Sequence, residues 1–279
     1  MLKPAKTKTE EIIHHLNDMK IGDESNRFLL RRYRNDAKAL EKDRPVEAYE
    51  ICAAIACLEN NIEEMRSWHQ KAITVSGNDP VVIVNYAMSL GKLGFYLEAH
   101  NKFKEVLEEN SANIYKLLYI RSCHDTGLFF EAYECVRHMS VEDIEEVGLP
   151  EDIIVGISEA VNILAAKGVS DDDISKAIVC VEECFQNQGV FEVRRDVSIY
   201  SAKEFILYGF SFSFNGVDLL ELDYQIEKKL EESGVSEDVL SVLEFDFIML
   251  GSEKVAQDVV PISKEKIDFV KALVAPVEI

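Results

Sequence analysis

A few short constellations in this chain hold side chains capable of chemistry. Asp171-Asp172-Asp173 offers three carboxylates of the kind a divalent cation takes. A cation needs oxygens that converge, and consecutive residues at a helix start point in different directions. The triplet therefore reads as favourable negative charge at a helix N-terminus. His14 and His15 are adjacent, so on a helix their rings diverge. Cys123-His124-Asp125 has the letters of a nucleophile, a base and an orienting acid. Such groups meet across a fold and rarely as sequence neighbours. Cys180 and Cys184 share a helix face and read as core thiols. None of the six cysteines forms C-x-x-C, and no Cys/His spacing matches a zinc site. Phosphate-loop, dinucleotide, nucleophile-elbow and H-E-x-x-H motifs are missing as well. The expectation is a protein that is not an enzyme, with no catalytic residue, metal or cofactor.

Composition and charge narrow the partners. Apolar residues make up 47% and charged residues 29%, enough for a sizeable core. No apolar run approaches the roughly 18 residues of a membrane span. The first residues, MLKPAKTKTEEIIHH, are polar where a signal peptide would be apolar, so a cytoplasmic protein with no membrane partner is expected. The net charge is −21, and it is uneven. Residues 1–139 hold 19 Lys/Arg against 21 Asp/Glu, and residues 140–279 hold 11 against 30. A phosphate backbone would be repelled by the second half, which argues against a nucleic-acid partner. The acidity either keeps the chain soluble or steers a basic partner toward it.

The elements that would position a binding surface repeat between 45 and 139. Three segments each read as two helices broken near Asn60, Gly94 and Gly127, at spacings of 34 and 33 residues. Met65, Ala99 and Ala132 follow five positions after each break. Ala53 and Ala87 sit mid-way along their first helices, and Ala72 sits in a second helix, where a methyl lets two backbones approach. Tyr86, Leu90, Tyr96 and Phe103 supply the bulk between helices. Asn or Gly at the break tolerates the left-handed backbone that reverses direction. A helix–turn–helix unit at this period is the signature of a helical solenoid.

On these residues the region resembles the tetratricopeptide repeat (TPR) family, best over 80–113. There Ala87, Leu90, Gly94, Tyr96, Ala99 and Phe103 fall on the family's small, large, turn, aromatic, small and aromatic positions. It departs from the family at the early Trp position, held by Tyr49, Ile83 and Lys116, and at Ile120, where a small residue belongs. The resemblance implies a concave face lined by the first helices, here Glu50, Ala54, Val84, Met88, Lys92, Leu117, Arg121 and His124. The family's clamp for a chaperone's C-terminal carboxylate is not kept. Glu50 and Ala54 replace its lysine and asparagine, only Asn85 matches in the second unit, and Ile114 and Leu118 replace the basic pair in the third. An apolar floor of Val84, Met88 and Leu117 suits an extended or helical apolar segment.

Flanking this region, 7–42 read as a helical cap and 149–188 as two more amphipathic helices. The cap holds a basic cluster, Arg27, Arg31, Arg32, Arg34 and Lys38, beside Asp36, Glu41 and Asp43. It reads as a solvated face or as pairing with the acidic half, although it could grip an acidic ligand or RNA. After Gly189 the pattern changes to strands around 190–200 and 203–214, a turn at Asn215-Gly216, a helix, a strand within 236–250 and a helix at 263–274. The expected fold is α+β, with a TPR-like solenoid (1–188) followed by a small α+β domain (189–279). A sheet edge there could pair with a second copy to make a homodimer. The leading functional expectation is a non-catalytic adaptor or scaffold holding a protein or peptide partner in the groove. One alternative is an acidic antagonist, antitoxin or chaperone that binds a basic protein through 140–279. Another is an enzyme with an unrecognised site in the C-terminal domain around Arg194, Arg195 and Asp196. A deep polar pocket there would favour it and a flat sheet would not.

Overall fold

A computed structural model describes residues 8–191, 193–213 and 218–250. The fold is α+β, with helices packed in chain order and a small three-stranded sheet following them. Packing divides the chain into two compact units, 1–102 and 103–279.

The first unit holds α1 (Lys8–Asn17), α2 (Arg27–Leu40), α3 (Pro45–Leu58), α4 (Ile62–Ser76), α5 (Pro80–Lys92) and the start of α6 (Tyr96–Glu109). Pro45 and Pro80 open their helices in the first turn, where the missing N–H is no loss. Asn61 and Asp79 accept from the first-turn amides of α4 and α5. Ile12, Leu16, Leu30, Tyr33, Ile51 and Ile55 pack as one cluster that joins α1, α2 and α3. Ala53, Met65, Ala72 and Ala87 have no exposed surface, as expected of residues at close helix crossings. Asn60 (φ 55°) and Gly94 (φ 84°) take the left-handed conformation at the two breaks. Behind each runs the same bond, Asn61 N–H to Ala56 O at 2.8 Å and Phe95 N–H to Leu90 O at 2.9 Å.

The second unit contains the rest of α6, then α7 (Asn113–Thr126), α8 (Phe129–Arg137), α9 (Val141–Val147), α10 (Glu151–Lys167) and α11 (Asp171–Asn187). Strands β1 (Arg194–Tyr200) and β2 (Phe205–Ser213) follow, then α12 (Leu219–Glu232), α13 (Glu237–Val242) and β3 (Leu243–Leu250). The third break repeats the first two, with Gly127 at φ 77° and Leu128 N–H on Cys123 O at 2.9 Å. Ile120 and Ala132 are fully buried at the matching positions. In the sheet β2 lies between β1, antiparallel, and β3, parallel. The parallel pairing requires a crossover, which α12 and α13 provide. Ile206, Tyr208, Phe210 and Phe212 of β2 are all buried on one face. Phe185 of α11 lies against Phe210, Phe212 and Phe247, with ring centroids 5.2–5.9 Å apart.

The domain boundary expected at 188/189 falls inside this second unit. The reason is physical: the aromatic face of β2 is closed by α11, so sheet and preceding helices share one core. The expected turn at 215–216 and the helix at 263–274 lie outside the described residues. No single helix among the described residues is long and apolar enough to cross a membrane. Helices α10 and α11 reach that length together but bend by 107°, and Ile154, Ile157, Ile178 and Val181 are buried in the protein.

Candidate functional site

The expected groove residues separate by unit. In the first unit Glu50 and Ala54 lie half-buried on α3, and Val84 and Lys92 half-buried on α5. Asn85 Nδ2 donates to Glu50 Oε1 at 2.6 Å, tying the two first helices together, while burial raises the Glu50 carboxyl above its usual range. Met88 is 52% exposed, and Val81, which sequence reasoning passed over, is 56% exposed. Val81, Val84 and Met88 are spaced three and four residues apart, so they form one stripe along α5.

In the second unit α7 places its three residues differently. Arg121 is exposed, but Leu117 is buried in the core and His124 is half-buried with its ring edge-on to Phe129. The apolar side chains that α7 does show are Ile114, 52% exposed, and the half-buried Leu118. Leu117 is one residue out of phase with Leu118, and one residue is about 100° of rotation on a helix. The spacing signal existed, since Ile114 lies 33 residues after Val81.

The chemistry-bearing clusters resolve into separate roles. The carboxylate of Asp171 accepts from Phe130 N and Glu131 N, both at 3.0 Å, and so caps α8. Asp173 closes a capping box with Ser170, and Asp172 is exposed. His15 Nδ1 bonds the Tyr33 hydroxyl at 2.7 Å while His14 lies 3.5 Å from Asp18, so the two rings serve different partners. Burial pushes the Cys123 thiol well above its ordinary range, the opposite of an activated thiolate. Arg194 and Asp196 face one side of β1 and pair with each other at 3.3 Å. Arg195 faces the other side, into the core, 2.8 Å from Glu182.

Two features of the first unit escaped sequence reasoning. A cavity of about 230 Å3 opens between α2, α3 and α4, lined by Arg34, Tyr49, Cys52, Glu64 and Trp68. Tyr49 stacks on Trp68 with ring centroids 5.5 Å apart, and Trp68 Nε1 donates to Glu64 at 3.1 Å. Its volume is below that of ordinary small-molecule sites and has room for a single inserted side chain. The signal available in the sequence was the chain's lone Trp together with Tyr49 on the preceding helix.

The second feature is His69, whose Nε2 lies 2.9 Å from Ser89 Oγ. Ser89 Oγ also lies 3.1 Å from Asn85 O, so the imidazole, the hydroxyl and the α5 backbone form one hydrogen-bonded link. Burial brings His69 from its ordinary 6.5 down to about 4. Below 6.5 the unfolded chain therefore binds a proton that the native protein refuses, and stability falls until about 4, where the native ring also protonates. His124 acts in the same direction, held at about 4 by burial. Asp125, raised to about 6 by burial, acts oppositely between 6 and its ordinary 3.8. His69→Gln keeps a hydrogen-bonding partner for Ser89 and isolates one contribution. On acidification from about pH 7.5 to about pH 5, the parent should lose about 2 kcal/mol more than this variant. Urea unfolding followed by Trp68 fluorescence reads the difference, and equal losses would refute it.

No family model, no curated protein and no solved structure matches this chain.

Proposed function

We propose that this chain is a non-catalytic protein-interaction adaptor of the cytoplasm, a TPR-like helical-repeat protein that holds a peptide segment along α5. The observation behind this reading is the stripe of Val81, Val84 and Met88. Two of its three side chains are more than half exposed, while Val82, Ile83, Tyr86, Ala87 and Leu90 of the same helix are buried. Glu50 and Asn85, bonded to each other, border the stripe with polar groups that can meet a peptide backbone. Met offers a flexible, polarizable surface that fits more than one apolar anchor.

Peptides selected from a random display library on the full chain should carry apolar anchors. Val81→Glu or Met88→Glu should weaken them about tenfold or more. Val75→Glu should leave them bound, because Val75 is equally open, at 51%, but lies on α4. Peptides indifferent to residues 81 and 88 would overturn the proposal.

A second reading is favoured by the carboxylates of the second unit, where Glu142, Glu145 and Glu146 of α9 and Glu221, Asp223, Glu227, Glu231 and Glu232 of α12 are exposed. A basic protein captured there would bind independently of Val81 and Met88 and would be lost steeply as salt rises.

A further inference from the structure

The basic cluster of α2 divides into one structural cation and four exposed ones. Arg34 is built into the first unit, donating to Glu59 at 2.7 and 3.3 Å and lying 3.6 Å from Glu64. Arg27, Arg31, Arg32 and Lys38 are exposed, and Phe28 stands among them with 83% of its surface open. The helix is held in this orientation by Leu30, Tyr33 and Ala37, which are buried on its other side. Exposed Glu24 lies 3.9 Å from Arg27, a separation worth little in water. An exposed aromatic ringed by cations matches a surface of opposite composition, with carboxylates around one or two apolar side chains.

Such a surface exists on the chain itself. Helix α12 buries Leu222, Ile226 and Leu230, which fixes its orientation. Its outer side shows Leu220, 82% exposed, and Tyr224, 62% exposed, one turn apart. Glu221, Asp223, Glu227, Glu231 and Glu232 are exposed around and beyond them. Of its two lysines, Lys229 is engaged by Glu183 at 2.6 Å and Lys228 lies 3.7 Å from Glu232. Both stripes, Arg27 to Lys38 and Leu220 to Glu231, run about 16 Å. Both carry their apolar residues toward the N-terminal end and charge beyond.

We propose that α2 of one copy docks side by side on α12 of a second copy. Phe28 then meets Leu220 and Tyr224, while Arg31 and Arg32 meet Glu227 and Glu231. The two patches differ, so the contact is head-to-tail and can propagate beyond a pair. The net charge of −21 opposes association at long range, but salt of about 0.15 M screens it beyond about 8 Å, leaving the local attraction.

The test is sedimentation equilibrium of the full-length chain at that salt, from micromolar to submillimolar concentration. The parent should gain mass with concentration. Arg31→Glu with Arg32→Glu, and separately Glu227→Arg with Glu231→Arg, should each weaken association by about tenfold or more. All four side chains are exposed, so folding should persist, as unchanged circular dichroism would verify. Mixing the two reversed proteins should restore association, since each then faces an opposite charge at both contacts. Phe28→Ser should weaken association without any change of charge. A parent that stays monomeric, reversed variants that associate like the parent, or a mixture that fails to recover would each overturn the proposal. A monomeric parent that binds phosphatidylserine vesicles or single-stranded RNA through these arginines would assign α2 to that occupant instead.

Discussion

Arg195→Met should destabilise the second unit by about 3–5 kcal/mol, the usual loss when one partner of a buried ion pair is removed. The guanidinium and the Glu182 carboxylate are 3% and 5% exposed and lie 2.8 Å apart. Arg195 also donates to the backbone carbonyl of Asp125 and sits 5.4 Å above the Phe210 ring. One cation therefore joins β1 to α11, to the end of α7 and to the central strand. Without it Glu182 is left in an apolar setting, and its carboxyl, already raised by burial, should climb further. Glu182→Leu combined with Arg195→Met should lose far less than Arg195→Met alone, because no stranded charge remains. Far-UV circular dichroism in urea measures both, together with amide exchange in α11 and β2. Trp68, the one tryptophan, belongs to the first unit and is not the reporter here. A double variant as unstable as the single one would contradict this reading of the pair.

Gly127→Ala should cost about 3 kcal/mol, well above Gly77→Ala at another left-handed helix end. Two penalties combine there. The backbone at φ +77° disfavours any side chain, and a Cβ would overlap Ile174 Cγ2 and come within 2.7 Å of Ile178 Cδ1. Ile174 cannot swing away, because its branch point is itself fully buried. Gly77, at φ +69°, meets nothing within 4 Å, so Gly77→Ala carries only the backbone penalty of about 1 kcal/mol. Thermal unfolding of the two variants side by side checks the ratio, and equal losses would show that α11 gives way.

The helix breaks and crossings were legible before any coordinates because they depend on local chemistry. Asn60, Gly94 and Gly127 are residues that accept a positive φ, and all three adopt one. Ala53, Ala72 and Ala87 are small, and small side chains are what close crossings take. Caps at Asn61, Asp79, Ser140 and Ser170 were passed over in the sequence although their chemistry is as local, since a side chain there needs only an amide two or three residues away. Strand signals within 190–200 and 239–250 were equally local, but the strands form only at Arg194–Tyr200 and Leu243–Leu250. Glu237–Val242 is a helix because Ser236 caps it and Val239 and Val242 are buried on one side.

What resisted reading depends on partners distant in the chain. Arg194 and Arg195 are identical in type, yet the pleat sends one to solvent and the other onto Glu182, 13 residues earlier on another element. Arg34 and its neighbours on α2 differ only in phase, and Glu59, 25 residues away, selects Arg34. Leu117 and Leu118 are exchanged between core and surface by a single step of rotation, settled by what packs against α7. The sheet joined the helices into one core because Phe185 fits between the aromatic rings of β2 and β3, a match of shapes that no pattern along one strand contains. Periodicity and residue size set where each element begins, ends and narrows. Which side of it is buried follows from the surface it meets, and that surface is assembled only when remote segments come together.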